Sequence, residues 1–257
     1  MKIPGLSPFF LIIPSFLLFS FIGNPHKNDL TKENLKGKVR ILKESEYPVK
    51  IDSAVIKNGG LESVDIFTYN KSGNQVEEKM NYYDGVNWDW VLSSKYNDKG
   101  YKIEDKKTCV NNTGSDKFTT YMKDANWKRS YVYNNKGEVI DPGSASKYDA
   151  KGNMVENIYG DEDGEHKFTW KYDNSGNVTQ ENEYMADDTI PSSKCIYTYD
   201  SIGNNIEKDE YTSDGRLNRK WLYKYEDLDK EGNWLKQTEY FNDNIYTVRK
   251  RAIEYYQ

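Results

Sequence analysis

A short motif recurs through most of this chain and constrains its fold more than any other feature. The motif is Tyr, then Asn or Asp, two variable residues and Gly, and it begins at Tyr69, Tyr96, Tyr133, Tyr148, Tyr172 and Tyr199. A longer copy, YEDLDKEG, begins at Tyr225. From Tyr148 onward the first tyrosines are separated by 24, 27 and 26 residues. A period of this length is typical of a repeat protein whose units stack on one another.

The residue types of the motif are those of a tight turn. An Asn or Asp side chain accepts a backbone hydrogen bond from two residues further on and opens a type I turn, and Gly takes the left-handed conformation that closes a hairpin with a bulge. Asn follows the Gly in five of the seven copies. In six copies an aliphatic residue stands three positions after the Gly. This fixed register across the turn predicts a β-hairpin in each unit.

The residues between the turns alternate as the two faces of a β-strand do. One aromatic series is Phe168, Trp170 and Tyr172, and another is Trp221, Tyr223 and Tyr225. Because an isolated hairpin is marginal in water, each unit is expected to bury its aromatic ladder against the next. The chain is therefore predicted to be all-β, with tandem antiparallel β-hairpin repeats forming a long twisted sheet or a partly wound spiral.

The Tyr-Asp-x-x-Gly-Asn phrase at this period resembles the YD repeats, or RHS-type repeats, of exported bacterial proteins. The resemblance covers residues 61–257 and is strongest from Tyr148 to Gln257. In large members of that family such repeats wind into β-sheet shells that enclose a toxin, or form cell-surface structures. This chain has fewer units than a closed shell needs and no separate toxin domain in its sequence, so the resemblance implies the sheet architecture rather than enclosure.

The N-terminus is unlike the rest of the chain. Lys2 is the only charged residue before His26, and the stretch from Pro8 to Gly23 is almost wholly apolar. A basic start followed by a short apolar run predicts a secretory signal peptide over residues 1–23, with an uncleaved anchor as the alternative. The protein is therefore predicted to be exported, to the periplasm, the cell surface or the extracellular medium. Membrane contact is expected only through this segment, if it stays uncleaved.

Three further segments follow the predicted signal. Residues 24–34 have the composition of a linker, residues 35–60 are expected to form an atypical N-terminal cap, and residues 61–257 form the predicted repeat domain. A cap is expected because the open edges of stacked hairpins need covering. The tail from Tyr246 to Tyr256 alternates well enough to be the last strand.

Charge and cysteine content limit the partners. The net charge is −5, and acids and bases are mixed along the chain. A nucleic-acid partner would require a basic stripe, so none is expected. Cys109 and Cys195 are the only cysteines. An exported protein permits a disulfide between them, but two separate thiols are the expected state.

Three sets of residues have side chains suited to catalysis or metal binding, but none of them matches the sequence pattern of a known catalytic or metal site. His166 lacks a nucleophile motif around it, so it is expected to be a solvated loop or strand residue. The acidic turn at 161–165 offers oxygens to calcium, but its spacing does not match a calcium-binding loop. Acids repeat at equivalent places in the second strands, as on a solvent face: Glu181, Glu183, Glu207, Asp209 and Glu210. No catalytic, metal or cofactor site is predicted, and enzymatic activity is not expected.

The tryptophans are the candidate ligand contacts. Exposed Trp and Tyr side chains on a flat sheet can stack on sugar rings or contact a protein partner. The six tryptophans are Trp88, Trp90, Trp127, Trp170, Trp221 and Trp234. The competing interpretation, which we favour, is that they form the ladder between consecutive hairpins.

The sequence thus predicts an exported, non-enzymatic repeat protein that offers an extended β surface for binding or for cell-surface structure. Its partner would be a protein or a carbohydrate at the cell surface. Two alternatives stay open, a secreted polysaccharide hydrolase and an immunity-type partner of a toxin, the latter suggested only by the family resemblance. An enzyme would show a cleft where perturbed acids converge, whereas a binder would show exposed aromatics across several units.

Overall fold

The computed structural model describes residues 28–52, 55–83, 88–112, 127–130, 132–133, 139–140, 144–161, 164–185 and 188–257. The predicted signal peptide, residues 1–23, lies outside these ranges. So do the first residues of the predicted linker.

The described residues form one short helix and a long series of strands. The helix is α1 (Asp29–Lys32). The strands are β1 (Val39–Asp52), β2 (Val55–Asn58), β3 (Ser63–Tyr69), β4 (Gln75–Tyr82), β5 (Trp88–Tyr96), β6 (Lys102–Asn112), β7 (Trp127–Ser130), β8 (Val132–Tyr133), β9 (Val139–Ile140), β10 (Ser144–Tyr148), β11 (Met154–Asp161), β12 (Gly164–Tyr172), β13 (Val178–Met185), β14 (Ser193–Tyr199), β15 (Asn205–Thr212), β16 (Leu217–Leu228), β17 (Trp234–Phe241) and β18 (Asn244–Tyr255). The prediction of an all-β fold is confirmed.

One 16-stranded antiparallel sheet contains most of these strands. Its order is β10-β11-β12-β13-β14-β15-β16-β17-β18-β1-β3-β4-β5-β6-β7, with β2 paired to β1 beside this path. Strands β8 and β9 form a separate two-stranded sheet. Strands that follow one another in the chain are also neighbours from β10 to β18 and from β3 to β7, which confirms the predicted tandem hairpins.

The segment predicted to cap the array, residues 35–60, has a different position. Its strand β1 lies in the interior of the sheet, between β18 and β3, rather than at an end. Leu42 lies opposite Phe67 on one side and Ile253 on the other. Pairing the first strand with the last one closes two edges that would otherwise expose unpaired backbone groups. The predicted last strand, β18, is last in the chain but internal in the sheet.

The motif turns have the hydrogen bonding that their residue types predict. In the copy at Tyr148, one carboxylate oxygen of Asp149 accepts hydrogen bonds from the backbone N–H of Lys151 and of Asn153. The other oxygen accepts one from the Asn153 side chain at 2.9 Å. The Gly between them has a φ of 81°. The strand register also shifts between Lys147 and Tyr148, which is the predicted bulge.

In four motifs the first tyrosine joins its hairpin to the previous one. The hydroxyl of Tyr199 donates a hydrogen bond to the carbonyl oxygen of Val178 at 2.8 Å, two residues after the Gly of the preceding motif. The hydroxyls of Tyr96, Tyr172 and Tyr225 make the equivalent bonds to Gln75, Met154 and Asn205. Consecutive units are therefore linked at one fixed register.

The sheet is strongly rolled, and residues 28–36, called here the N-terminal segment, lie across one end of the roll. The Leu30 N–H donates to the Gly73 carbonyl at 3.0 Å, and the Asn34 side chain donates to that of Asn204 at 2.9 Å. Those two turns are six strand spacings apart along the sheet, roughly 29 Å if it were flat. Four residues of chain reach at most roughly 14 Å, so the sheet must curve to bring the turns together.

The side of the sheet that faces the N-terminal segment is called here the inner face. Leu30 and Leu35 pack there in a buried cluster with Val39, Leu42 and Tyr69. Cross-strand neighbours point to the same side of a sheet, so the strand register extends this face from β1 to every other strand of the roll. A second buried cluster on it contains Met154, Phe168 and Trp170. The opposite side is called the outer face.

Candidate binding surfaces

The inner face carries ion pairs beside the first core cluster. The Arg249 guanidinium lies 3.2 Å from a carboxylate oxygen of Glu46 and 3.2 Å from one of Glu239. Arg251 pairs with Glu44 at 2.6 Å, and its guanidinium lies 3.4 Å from the centre of the Trp234 ring. Burial acts to lower the pKa of Arg249, but Glu46 and Glu239 outweigh burial and raise it. These pairs keep buried charges compensated where β17, β18 and β1 meet.

Two further inner-face carboxyls have perturbed pKa values. Burial, together with the nearby carboxylates of Glu78 and Glu44, raises the pKa of Asp65 to about 8. One oxygen of Asp65 is buried without a hydrogen-bond partner. Burial also raises the pKa of Glu78 to about 7, against a hydrogen bond from the Gln75 side chain. Perturbed acids mark functional sites as well as structural networks, so these two neighbouring groups are candidates for a catalytic role.

The predicted ligand-contact tryptophans lie mainly inside the roll. Trp90, Trp170 and Trp234 are 5%, 4% and 9% exposed, so they offer almost no surface to a ligand. Trp170 stacks on Phe168, with ring centres 6.0 Å apart, and its indole N–H donates to Glu181 at 2.8 Å. This placement is that of the interstrand ladder.

The other three tryptophans lie in strands as well. Trp221 is partly exposed and contacts the Phe241 ring at 5.3 Å between ring centres. Trp88 belongs to β5 and Trp127 to β7, but their side chains lie outside the described residues. Of the six candidates, Trp221 is the one whose described side chain keeps solvent contact.

The remaining sequence candidates are dispersed over the roll. His166 lies in β12, stacked on Tyr159 with a ring nitrogen 3.6 Å from Glu183, so its environment is less solvated than predicted. The second-strand carboxylates do not meet as one pair: Glu181, Glu183 and Glu210 belong to the inner face, and Glu207 and Asp209 to the outer face. Of the acidic turn at 161–165, Glu162, Asp163 and the side chain of Asp161 lie outside the described residues.

Among the described residues, neither the cysteine nor the potential metal-binding side chains form a further catalytic or metal site. Cys195 is a buried free thiol, and burial raises its pKa to about 11, which makes it a poor nucleophile. The side chain of Cys109 is outside the described residues. Within the described ranges, no group of three or more His, Cys, Asp or Glu side chains is arranged to hold a metal ion. No helix among these residues is long and apolar enough to cross a bilayer.

The outer face repeats a pair of side chains from one hairpin to the next. Lys167 lies opposite Tyr184, with its ammonium 4.3 Å from the ring centre. One hairpin further on, Lys194 lies opposite Tyr211 at 4.7 Å. These pairs recur because each unit places the same strand positions on the same face. The lysine partners of these tyrosines lie on neighbouring strands, and these pairs were not found from the sequence.

A groove on the outer face crosses β16, β17 and β18 and encloses about 760 Å³. It is called here the lysine groove, because Lys224, Lys236 and Lys250 line it. Its apolar lining includes Val49, Tyr240, Ile245 and Val248, the last of which is 7% exposed. No sequence motif marks this groove, since its lining comes from four strands.

Comparison with known proteins assigns no family. No protein-family model matches the sequence, and no curated protein matches it. A porin-like protein from Bacteroides uniformis aligns with 85% of this chain and 99% of its own, with 11% identity and a TM-score of 0.42. The Tc holotoxin pore of Photorhabdus luminescens covers 79% of this chain, which spans 12% of that chain, at 12% identity and a TM-score of 0.32. A LolA superfamily protein from Nitrosomonas europaea aligns with 86% of this chain and 87% of its own, with 8% identity and a TM-score of 0.28.

Proposed function

We propose that this protein is an exported, non-enzymatic binding protein that holds a component of the cell envelope on the outer face of its rolled sheet. The observation that carries the proposal is that the inner face of the sheet is filled by the protein's own residues, whereas the outer face is open to a partner. The inner face is occupied by the two buried apolar clusters, the N-terminal segment and the ion pairs of Arg249 and Arg251. The outer face presents repeated Lys–Tyr pairs and the lysine groove.

We further propose that the chain is a YD-repeat protein and that it is located outside the cytoplasm. The apolar stretch over residues 1–23 supports export. The motif turns and the tyrosine links between units support the repeat assignment. Repetition suits a binding role, because a partner with a regular surface can contact the same side-chain pair in several units.

The test is a binding screen of the exported protein against a glycan array, lipid vesicles and purified envelope proteins. We expect a saturable partner whose binding falls at least about tenfold in the double variant Y184A/Y211A, since aromatic residues dominate binding surfaces. The matched control is Tyr83→Ala, because Tyr83 is exposed at 44% but lies in the connection after β4, outside the repeated pairs. Equal binding by Y184A/Y211A and wild type would place the contact elsewhere and contradict the proposal.

A secreted polysaccharide hydrolase is the second candidate function, and one observation favours it. Asp65 and Glu78 lie close together on the inner face with pKa values of about 8 and about 7, as a general acid requires near neutral pH. A hydrolase would release reducing ends from a polysaccharide, and Asp65→Asn would abolish that release in a folded protein. We expect wild type and D65N to give the same background release.

A further inference from the structure

We infer that the lysine groove binds an anionic amphiphile, namely a single alkyl chain that ends in a carboxylate. The inference rests on the proposed function, since it names a ligand class for one part of the outer face. The charges of the groove, its apolar lining and its size each support this ligand.

Three lysines but two carboxylates, Glu226 and Asp227, line the groove, so its cationic side chains are incompletely compensated. Lys236 lies directly opposite Lys250 on the neighbouring strand, and two like charges in that position destabilise a sheet. Glu226 accepts hydrogen bonds from both Lys224 and Lys236 at 3.0 Å, so a single carboxylate serves two ammonium groups. The ammonium of Lys250 lies 5.3 Å from the Tyr47 ring, and no carboxylate among the described residues pairs with it. A ligand carboxylate between Lys236 and Lys250 would supply the missing negative charge.

The rest of the groove suits an alkyl chain better than a free small anion. Val248 forms a buried part of the floor, and Val49 and Ile245 extend the apolar surface away from the lysines. A volume of about 760 Å³ is in the range of small-molecule sites. An apolar trough with ammonium groups on one side recognises both ends of such a molecule, the chain by burial and the head by charge.

The test is isothermal titration calorimetry with sodium laurate below its critical micelle concentration, using the full exported protein. Sodium acetate and dodecanol serve as probes that carry only the head or only the chain. We expect one laurate to bind per protein. We expect this binding to be at least about tenfold weaker in K236Q/K250Q, because the ligand carboxylate loses its charge-assisted hydrogen bonds. Both acetate and dodecanol should bind at least about tenfold more weakly than laurate.

The matched control is K106Q/K171Q, which removes two exposed lysines from the same face, outside both the groove and the Lys–Tyr pairs, and should bind laurate as wild type does. Circular dichroism melts confirm that both double variants are folded. Two results would overturn the inference: no laurate binding to wild type, or equal weakening by both double variants, which would indicate non-specific charge. If an acidic glycan from the array binds in the groove instead, the lipid assignment is wrong while the proposed function stands. If the wild-type protein binds neither laurate nor any partner in the screen, both the inference and the proposed function are wrong.

Discussion

At the scale of single residues, the motif is explained by one repeated set of hydrogen bonds. The Asp or Asn accepts backbone N–H groups across the turn, and the Asn after the Gly returns a side-chain bond to the Asp, as in the pairs Asp173–Asn177 and Asp200–Asn204. Burial acts to raise the pKa of Asp173, but its bonds from Asn177 and the turn backbone outweigh burial and lower it. The sequence predicted the turn, whereas the Asp–Asn side-chain bond became evident from the structure.

Asp65 shows why some residues could not be assigned from sequence. It stands in β3 among many acids of the chain, and the pairing of β3 with β1 places it opposite Glu44, while the hairpin partner β4 carries the nearby Glu78. The folded pKa of about 8 lies above 3.8, the ordinary value for an aspartate side chain. The folded protein therefore holds a proton that the unfolded chain releases. The contribution of the Asp65 carboxyl to the free energy of unfolding is therefore fully present below about pH 4 and is lost as the pH rises toward 8.

We predict that Asp65→Asn stabilises the protein at pH 8.5 and has little effect at pH 4.5. At high pH the wild-type carboxylate must ionise in a buried site, and the amide avoids that cost of about 2 kcal/mol, or about 4–8 °C in Tm. Thermal melts at the two pH values measure the difference. The exposed Asp188→Asn should show no such pH dependence. A Tm change of D65N that is equal at both pH values would show that Asp65 does not titrate in this window.

At the scale of elements, the hairpin is the unit and the motif tyrosine is the link. The turn and alternation of one hairpin are local properties, so the strands from β10 to β18 could be predicted from sequence. The hydroxyl bond from Tyr199 to the Val178 carbonyl is made between hairpins. It explains why the motif begins with Tyr rather than Phe, which would fill the same space in the ladder.

We predict that Tyr199→Phe lowers the free energy of unfolding by about 1 kcal/mol, or about 2–4 °C in Tm, because the partly buried hydrogen bond to the Val178 carbonyl is lost. Differential scanning calorimetry measures the change. Tyr184→Phe, on the outer face beneath Lys167, keeps its ring and should melt within about 1 °C of wild type. If both variants melt alike, the hydroxyl link contributes nothing measurable.

At the scale of the whole molecule, the roll depends on contacts between distant parts of the chain. Residues 28–36, predicted to be mainly a linker, contact the turns at Gly73, Asn204 and Asn233. They hold together turns that belong to separate hairpins along the sheet. Strand β1 joins the two series of hairpins by pairing with β18 and β3.

We predict that Leu30→Ala destabilises the whole roll by about 2–4 kcal/mol, because Leu30 is 7% exposed in the cluster with Leu42 and Tyr69. Urea unfolding measures the loss, and small-angle X-ray scattering should show an increased radius of gyration if the roll loosens. The control Leu61→Ala removes a side chain that is 38% exposed and should cost less than about 0.5 kcal/mol. An unchanged urea midpoint in L30A would mean that the N-terminal segment does not hold the roll.

The sequence by itself determined the turns, the strand alternation and the all-β class of this protein, because these depend on residues within a few positions of each other. Only the tertiary structure decided that β1 is internal, that the sheet rolls around residues 28–36, and that the tryptophans of the ladder face inward. It also decided which acids are buried and where the lysine groove lies. Those features depend on which distant strands pair, a choice made by the total burial and edge closure of the chain and not marked by any local pattern.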